Sequence, residues 1–148
     1  ALPAAESTRA FGAPHGAQPV VELPFSEVMT ITRHLPVQRL RSHLSRNALA
    51  DIRDAATPAP AASDEFGRSA QRFEMQVEWR AGGRTRRAVA RGQDIYAVSA
   101  PLVVEAAQRM ARPGFDRHGA LALGQAFDPA AFLDALAPEH LSWSRDGR

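Results

Sequence analysis

The chain has 148 residues, of which 45% are hydrophobic and 23% charged, with no cysteine and a formal net charge of +2. That length supports a domain with a real core. The lack of cysteine excludes a disulfide framework and thiolate chemistry, and no stretch approaches the roughly 20 apolar residues of a membrane span.

Residues 1–17 are rich in Ala, Pro and Gly and read as a linker or arm. They hold no continuous apolar segment of the secretory type, so a cytoplasmic location is expected. The first residue is not Met, which suits a fragment or a processed form. Residues 18–23 (QPVVEL) and 27–33 (EVMTITR) are short and rich in β-branched residues, and both predict strands, with Pro24 between them. Residues 37–43 (VQRLRSH) lean towards strand. Ser45 can cap a helix running to about Asp54, with Leu49, Ile52 and Ala56 on one stripe. The stretch 56–67 (ATPAPAASDEFG) has two prolines and little pattern, and predicts a mobile loop.

The clearest element follows. Phe73, Met75, Val77 and Trp79 alternate with Glu74, Gln76, Glu78 and Arg80, the period of a half-buried strand. Gly82-Gly83 supplies a two-residue turn. That turn sets Glu78 opposite Arg87 and Glu74 opposite Arg91 on one face. On the other face it sets Val77 opposite Ala88, Met75 opposite Ala90 and Trp79 opposite Arg86. The stretch 92–110 (GQDIYAVSAPLVVEAAQRM) then opens a helix from about Ala100 to Arg112. Ser99 is its expected cap, Val103, Ala106, Ala107 and Met110 its buried stripe, and Glu105–Arg109 an i,i+4 pair. A loop (PGFDRHG) and a short apolar segment (ALAL) lead to a last helix, with Asp128 as cap, Pro129 in its first turn and Phe127–Phe132 as a staple. It stops at Ala137, before Pro138, and 142–148 reads as a tail.

The pattern predicts an α+β domain over 18–141: a mixed, largely antiparallel sheet with about three helices on one face. No dinucleotide-binding fold is expected in this chain, because Gly114, Gly119 and Gly124 are five apart and form no G-x-G-x-x-G, and no phosphate-binding loop motif occurs. No metal-ligand spacing is present among the five His. All 18 basic residues are arginine, which points to a GC-rich genome. The pI near 10.3 follows from a chain with almost nothing that titrates between histidine and high pH. Of the hairpin arginines (Arg80, Arg84, Arg86, Arg87, Arg91), Arg87 and Arg91 have glutamates opposite while Arg84 and Arg86 lie at the tip. The neighbouring surface has no aromatic interleaving, so no nucleic-acid partner is expected; no membrane partner is expected either.

Candidate site residues are few. His34 follows Arg33 at the end of a strand-like run, where a general base can sit. His118 lies in a loop beside Gly119, and a small hydrolase using His34 or His118 is a weaker reading, since no G-x-S-x-G elbow is present. Asp94 can hold backbone amides in an Asx turn while Tyr96, the only tyrosine, packs by its ring. In the competing reading, Tyr96 offers its hydroxyl to a substrate or across an interface.

Three segments carry a resemblance. GQDIYAVSAPLVVEAAQRM, then HGALALGQAFDPAAFLDAL, with LPFSEVMTITRH upstream, resemble in order and spacing the C-terminal part of saccharopine-dehydrogenase-like oxidoreductases, over about residues 18–141. The chain departs from the common pattern at Leu123-Gly124, where a proline is frequent. The resemblance implies a substrate-binding and dimerisation domain of an NAD(P)-dependent enzyme, whose own Rossmann domain lies outside this chain. It also implies a small-molecule substrate, a homodimer, and no activity for this part alone. Arg33 and His34 on the Glu27–His34 stretch, and Asp94 and Tyr96 at the helix start, transfer by position as cleft candidates, with no catalytic acid or base assigned. The alternative is a non-enzymatic interaction or dimerisation module that pairs through a sheet edge or an apolar helix face.

Overall fold

The computed structural model describes residues 5–146 and falls into two compact units with a boundary between Ala59 and Pro60. That boundary lies in the proline-bearing stretch expected as a loop.

The first unit contains β1 (Glu6–Ala10), β2 (Ala17–Glu22), α1 (Ser26–Thr32), β3 (His43–Ser45) and α2 (Arg46–Arg53). Its sheet has the order β1-β2-β3, antiparallel throughout. β1 occupies part of the expected arm; residues 1–4 of that arm lie outside the described residues. All five side chains of β1 are exposed, so no hydrophobic period betrays it. Backbone pairing from Glu6↔Val21 to Ala10↔Ala17 holds it instead, with an ion pair from Arg46 to Glu6 at 2.7 Å. β2 is where the pattern placed it, and its Val20 and Val21 are buried.

Residues 27–33 are not the expected strand. They form α1 and its C-cap Arg33, although Val28, Thr30, Ile31 and Thr32 are all β-branched. β-propensity measures fit to a half-buried pleated surface, and this segment has none: no residue of α1 is buried, and the Thr32 hydroxyl bonds back to the Val28 carbonyl at 2.7 Å. Of residues 37–43, only His43 reaches a strand. Ser45 caps α2 as expected, its Oγ accepting from the Ala48 amide at 3.4 Å, but Ile52 and Ala56 are exposed.

The second unit contains β4 (Arg72–Ala81), β5 (Arg84–Gln93), α3 (Ser99–Met110), α4 (Leu123–Ala126), α5 (Pro129–Leu136) and β6 (Leu141–Arg145). The hairpin register is the expected one at every pair from Arg72↔Gln93 to Ala81↔Arg84, turning on Gly82 (φ 55°) and Gly83 (φ 74°). Arg91 meets Glu74 at 2.6 Å and the Arg86 guanidinium lies 5.9 Å from the Trp79 ring, whereas Glu78 is held by Arg80 at 3.1 Å rather than by Arg87. β6 arises in the expected tail, whose last residues, 147–148, lie outside the described residues. It pairs with β5 from Gly92↔Leu141 to Ala88↔Arg145, and the Asp146 carboxylate accepts from the Arg87 amide at 2.7 Å. The architecture is α+β, with its strands in two antiparallel three-stranded sheets instead of one.

The core of the second unit is Val98, Ala106, Phe132, Leu136 and Leu141, with Phe73, Leu102 and Trp143 packed against it. Of the stripe expected for α3, only Ala106 is buried. The buried line of this helix runs Val98, Leu102, Ala106, one residue every four, while Val103, Val104 and Met110 are exposed. The strongest local start signal holds: Asp128 Oδ1 accepts from the Ala131 amide at 2.7 Å, and the Phe127 and Phe132 rings stack at 5.5 Å. Arg109 joins α3 to α5. It meets Glu105 at 2.5 Å, donates to the Ala131 carbonyl at 2.8 Å and lies 5.0 Å over the Phe132 ring. We expect Arg109→Ala to destabilise the chain by about 1–3 kcal/mol, since it removes a cation–π contact and leaves a part-buried Glu105 without its cation. Urea unfolding checks this, with Glu105→Gln in the Arg109→Ala background expected to recover part of the loss.

Candidate functional site

The site begins where β5 runs into α3. Gly92 is the residue before this junction that has room for no side chain: a Cβ built on it would lie 2.6 Å from Cζ of Phe73 and 3.3 Å from the His140 carbonyl. Two residues on, Asp94 is buried and adopts φ 55°, a left-handed conformation that Asp tolerates better than most residues. Its Oδ1 accepts from the amides of Tyr96 (3.0 Å) and Ala97 (3.1 Å), and its Oδ2 from the amide of Ser69 (2.7 Å). These bonds hold its carboxyl below the ordinary aspartate range, the Ser69 amide contributing most and the Ala97 amide next, against the opposing effect of burial. Asp94 thus secures the turn that leads into α3, while Ser99, expected as the helix cap, is instead its first residue. The true N-cap, Val98, has no side-chain bond to give, and the Ser99 hydroxyl donates to the Ile95 carbonyl at 3.3 Å.

The other half of this knot was not visible as a site in the sequence. Asp64, in the stretch expected to be mobile, organises a tight turn: Oδ1 accepts from the amides of Phe66 (3.0 Å) and Arg68 (2.9 Å), and Oδ2 from Arg68 Nε (2.7 Å) and Gln93 Nε2 (3.2 Å). The Arg68 amide is the leading cause that lowers the Asp64 carboxyl, with its guanidinium adding to it. Gln93 also donates to the Ser69 carbonyl at 2.9 Å, so both backbone groups of Ser69 are tied to the helix start. The Ser69 hydroxyl is buried with no partner among the described residues. Ser63-Asp64 followed by Gly67 is an Asx-turn signature that could have marked this segment as ordered.

Tyr96 departs from the expected ring packing. Its amide is fixed by Asp94, but the residue is 66% exposed. Arg33 and His34 belong to the first unit, at the end of α1. Arg33 is exposed and His34 half-buried, and His34 Nδ1 lies 2.8 Å from the Thr30 carbonyl, a local bond. His118 likewise bonds only locally, to the Asp116 carbonyl at 2.9 Å. The first unit also has an open groove of about 370 Å³, floored by Leu23, Pro24, Val28 and Leu40, with Glu22 and Arg41 paired across 3.8 Å. Neither Arg33 nor His34 lines it.

Among the described residues no three His, Asp or Glu side chains cluster as a metal site, and no helix is long and apolar enough to cross a membrane. Compared with family models, curated proteins and solved structures, the chain matches none.

Proposed function

We propose that this chain is the substrate-binding and dimerisation part of a saccharopine-dehydrogenase-like oxidoreductase, with NAD(P) held by a Rossmann domain outside these residues. One observation supports the reading above the others. The Gly-x-Asp-x-Tyr stretch, one of the segments that carry the resemblance, separates physically into two residues explained by packing and one that is not. Gly92 is required by the Phe73 ring, and Asp94 by three amides and a left-handed backbone. Tyr96 is displayed with its amide locked and its ring exposed. A side chain carried on so firm a base suits contact with something beyond the unit, a small-molecule substrate or an opposing surface.

The described residues do not fit the dinucleotide itself. Both sheets are antiparallel, and no glycine turn leads from a parallel strand into a helix, the arrangement that aims backbone amides at a pyrophosphate. The hydride step is assigned to the intact protein, with Tyr96 the candidate substrate contact of the second unit and Arg33 and His34 those of the first. The second reading, an interaction module without catalysis, draws support from the exposed apolar face of β4.

Calorimetric titration with NADPH and NADH, run on this chain and on the product of its whole gene, tests the proposal. We expect no heat from the chain and a Kd on the order of micromolar from the whole product. Micromolar binding by residues 1–148, or a whole gene product that binds neither nucleotide, overturns it.

A further inference from the structure

The alternation of β4 predicts a half-buried strand with Phe73, Met75, Val77 and Trp79 on one face. Of that face only Phe73 reaches the core, while Met75, Val77 and Trp79 are exposed by 56%, 62% and 53%. β4 is also an edge strand, pairing among the described residues only with β5. A ten-residue edge strand with an exposed apolar strip is a hazard unless something covers it. We propose that the cover is a second copy of this chain, whose β4 pairs antiparallel with β4 across a two-fold axis through Val77, making one continuous six-stranded sheet. This deepens the dimerisation half of the reading above. Its test reads association alone, so it stands or falls whatever the nucleotide titration shows.

The register follows from parity and charge. A two-fold axis perpendicular to a sheet keeps every residue on its own face, so odd positions must oppose odd and even oppose even. Centred on Gln76, the pairing sets Arg72 against Arg80 and Glu74 against Glu78, like charges in both cases and each made twice. Centred on Met75, it sets Trp79 against Gln71, beyond the strand, and leaves the largest apolar side chain uncovered. Centred on Val77, Gln76 faces Glu78, Met75 faces Trp79, and Arg80 comes opposite Glu74, whose carboxylate is already held by Arg91 within its own sheet. No like-charge pair arises, and the exposed strip overlaps itself over its full length. The backbone agrees. A two-residue turn with positive φ at Gly82 and Gly83 closes on Ala81↔Arg84 as a hydrogen-bonded pair, so odd residues of β4 bond to β5. Even residues, Glu78 and Arg80 among them, turn their N–H and C=O groups to the outer edge. Val77 then sits on the axis in a non-hydrogen-bonded pair, where side chains approach most closely.

Because the chain has no cysteine, single cysteines report the register. Under mild oxidation Val77→Cys should yield a disulfide-linked dimer. Met75→Cys and Trp79→Cys should cross-link when mixed and fail to cross-link singly. Glu78→Pro removes an outward N–H at an edge position that tolerates proline. It should weaken dimerisation on the order of tenfold, two symmetry-related bonds being lost, with the circular dichroism of the fold unchanged. A wild-type chain that sediments as a monomer at on the order of 100 μM overturns the proposal. So does self-linking of Met75→Cys, or a folded Glu78→Pro variant that dimerises as tightly as wild type.

Discussion

Gly92→Ala is expected to destabilise the second unit by about 1–3 kcal/mol, the range for forcing a methyl group into a packed site. The backbone there needs no glycine, since its φ lies outside the left-handed region, so the effect comes from contact alone. The new methyl would lie 2.6 Å from Cζ and 2.7 Å from Cε1 of the Phe73 ring. That ring packs against the core cluster, so moving it aside disturbs the core. Urea unfolding checks the loss, and a double-mutant cycle assigns it: in a Phe73→Leu background the same substitution should be markedly cheaper. Equal losses in the two backgrounds would show that the crowding is not what Gly92 relieves.

The second large effect belongs to Asp94. Asp94→Ala leaves three backbone amides without their acceptor and puts an unsuited residue at φ 55°. We expect the melting temperature to fall by roughly 5–15 °C, with Asp94→Asn less severe because it keeps one acceptor oxygen and tolerates that backbone. Acid should reveal the same bonds. The Asp94 carboxyl is held below its ordinary range in the folded chain, first by the Ser69 amide. Its contribution is therefore fully present above the unfolded aspartate pKa and is lost as pH falls through the folded value. The window lies below about pH 4. Melting curves between about pH 5 and pH 2 should fall less steeply for Asp94→Asn than for wild type. Asp64, depressed by the Arg68 amide and guanidinium, supplies part of the slope that remains.

What could be read from the sequence follows the range of the forces involved. The hairpin register, the Ser45 and Asp128 caps and the Phe127–Phe132 staple rest on neighbours within a turn or across a two-residue loop, and each is present. α1 was misread because Val28, Thr30, Ile31 and Thr32 carry the composition of a strand, while the absence of a buried face, which decides the outcome, is a long-range fact. β1 has only exposed side chains and is held by backbone bonds that any residues can make, and β6 is fixed by Leu141 and Trp143, whose core partners lie on other elements. The expected α3 stripe includes the buried Ala106 but takes Val103 in place of Leu102, because Val103 and Met110 look as apolar as Leu102. Only the partners Phe132, Leu136 and Leu141 select among them. Of the candidate site, Asp94 as an amide-binding residue was legible from its spacing to the helix. Its tie to Ser69, 25 residues away, and the Phe73 ring behind Gly92 were not.

The divided labour of Gly92, Asp94 and Tyr96 has a consequence for recognition. Ordering a surface side chain on contact consumes conformational freedom in both the side chain and the backbone beneath it. At Tyr96 the backbone share has already been spent during folding, since its amide is clamped by Asp94. Only the two torsions of the phenol ring remain to be fixed. Whatever meets this tyrosine encounters a pre-organised contact, and exchanging the side chain at this one position retunes that contact while leaving the scaffold beneath it untouched.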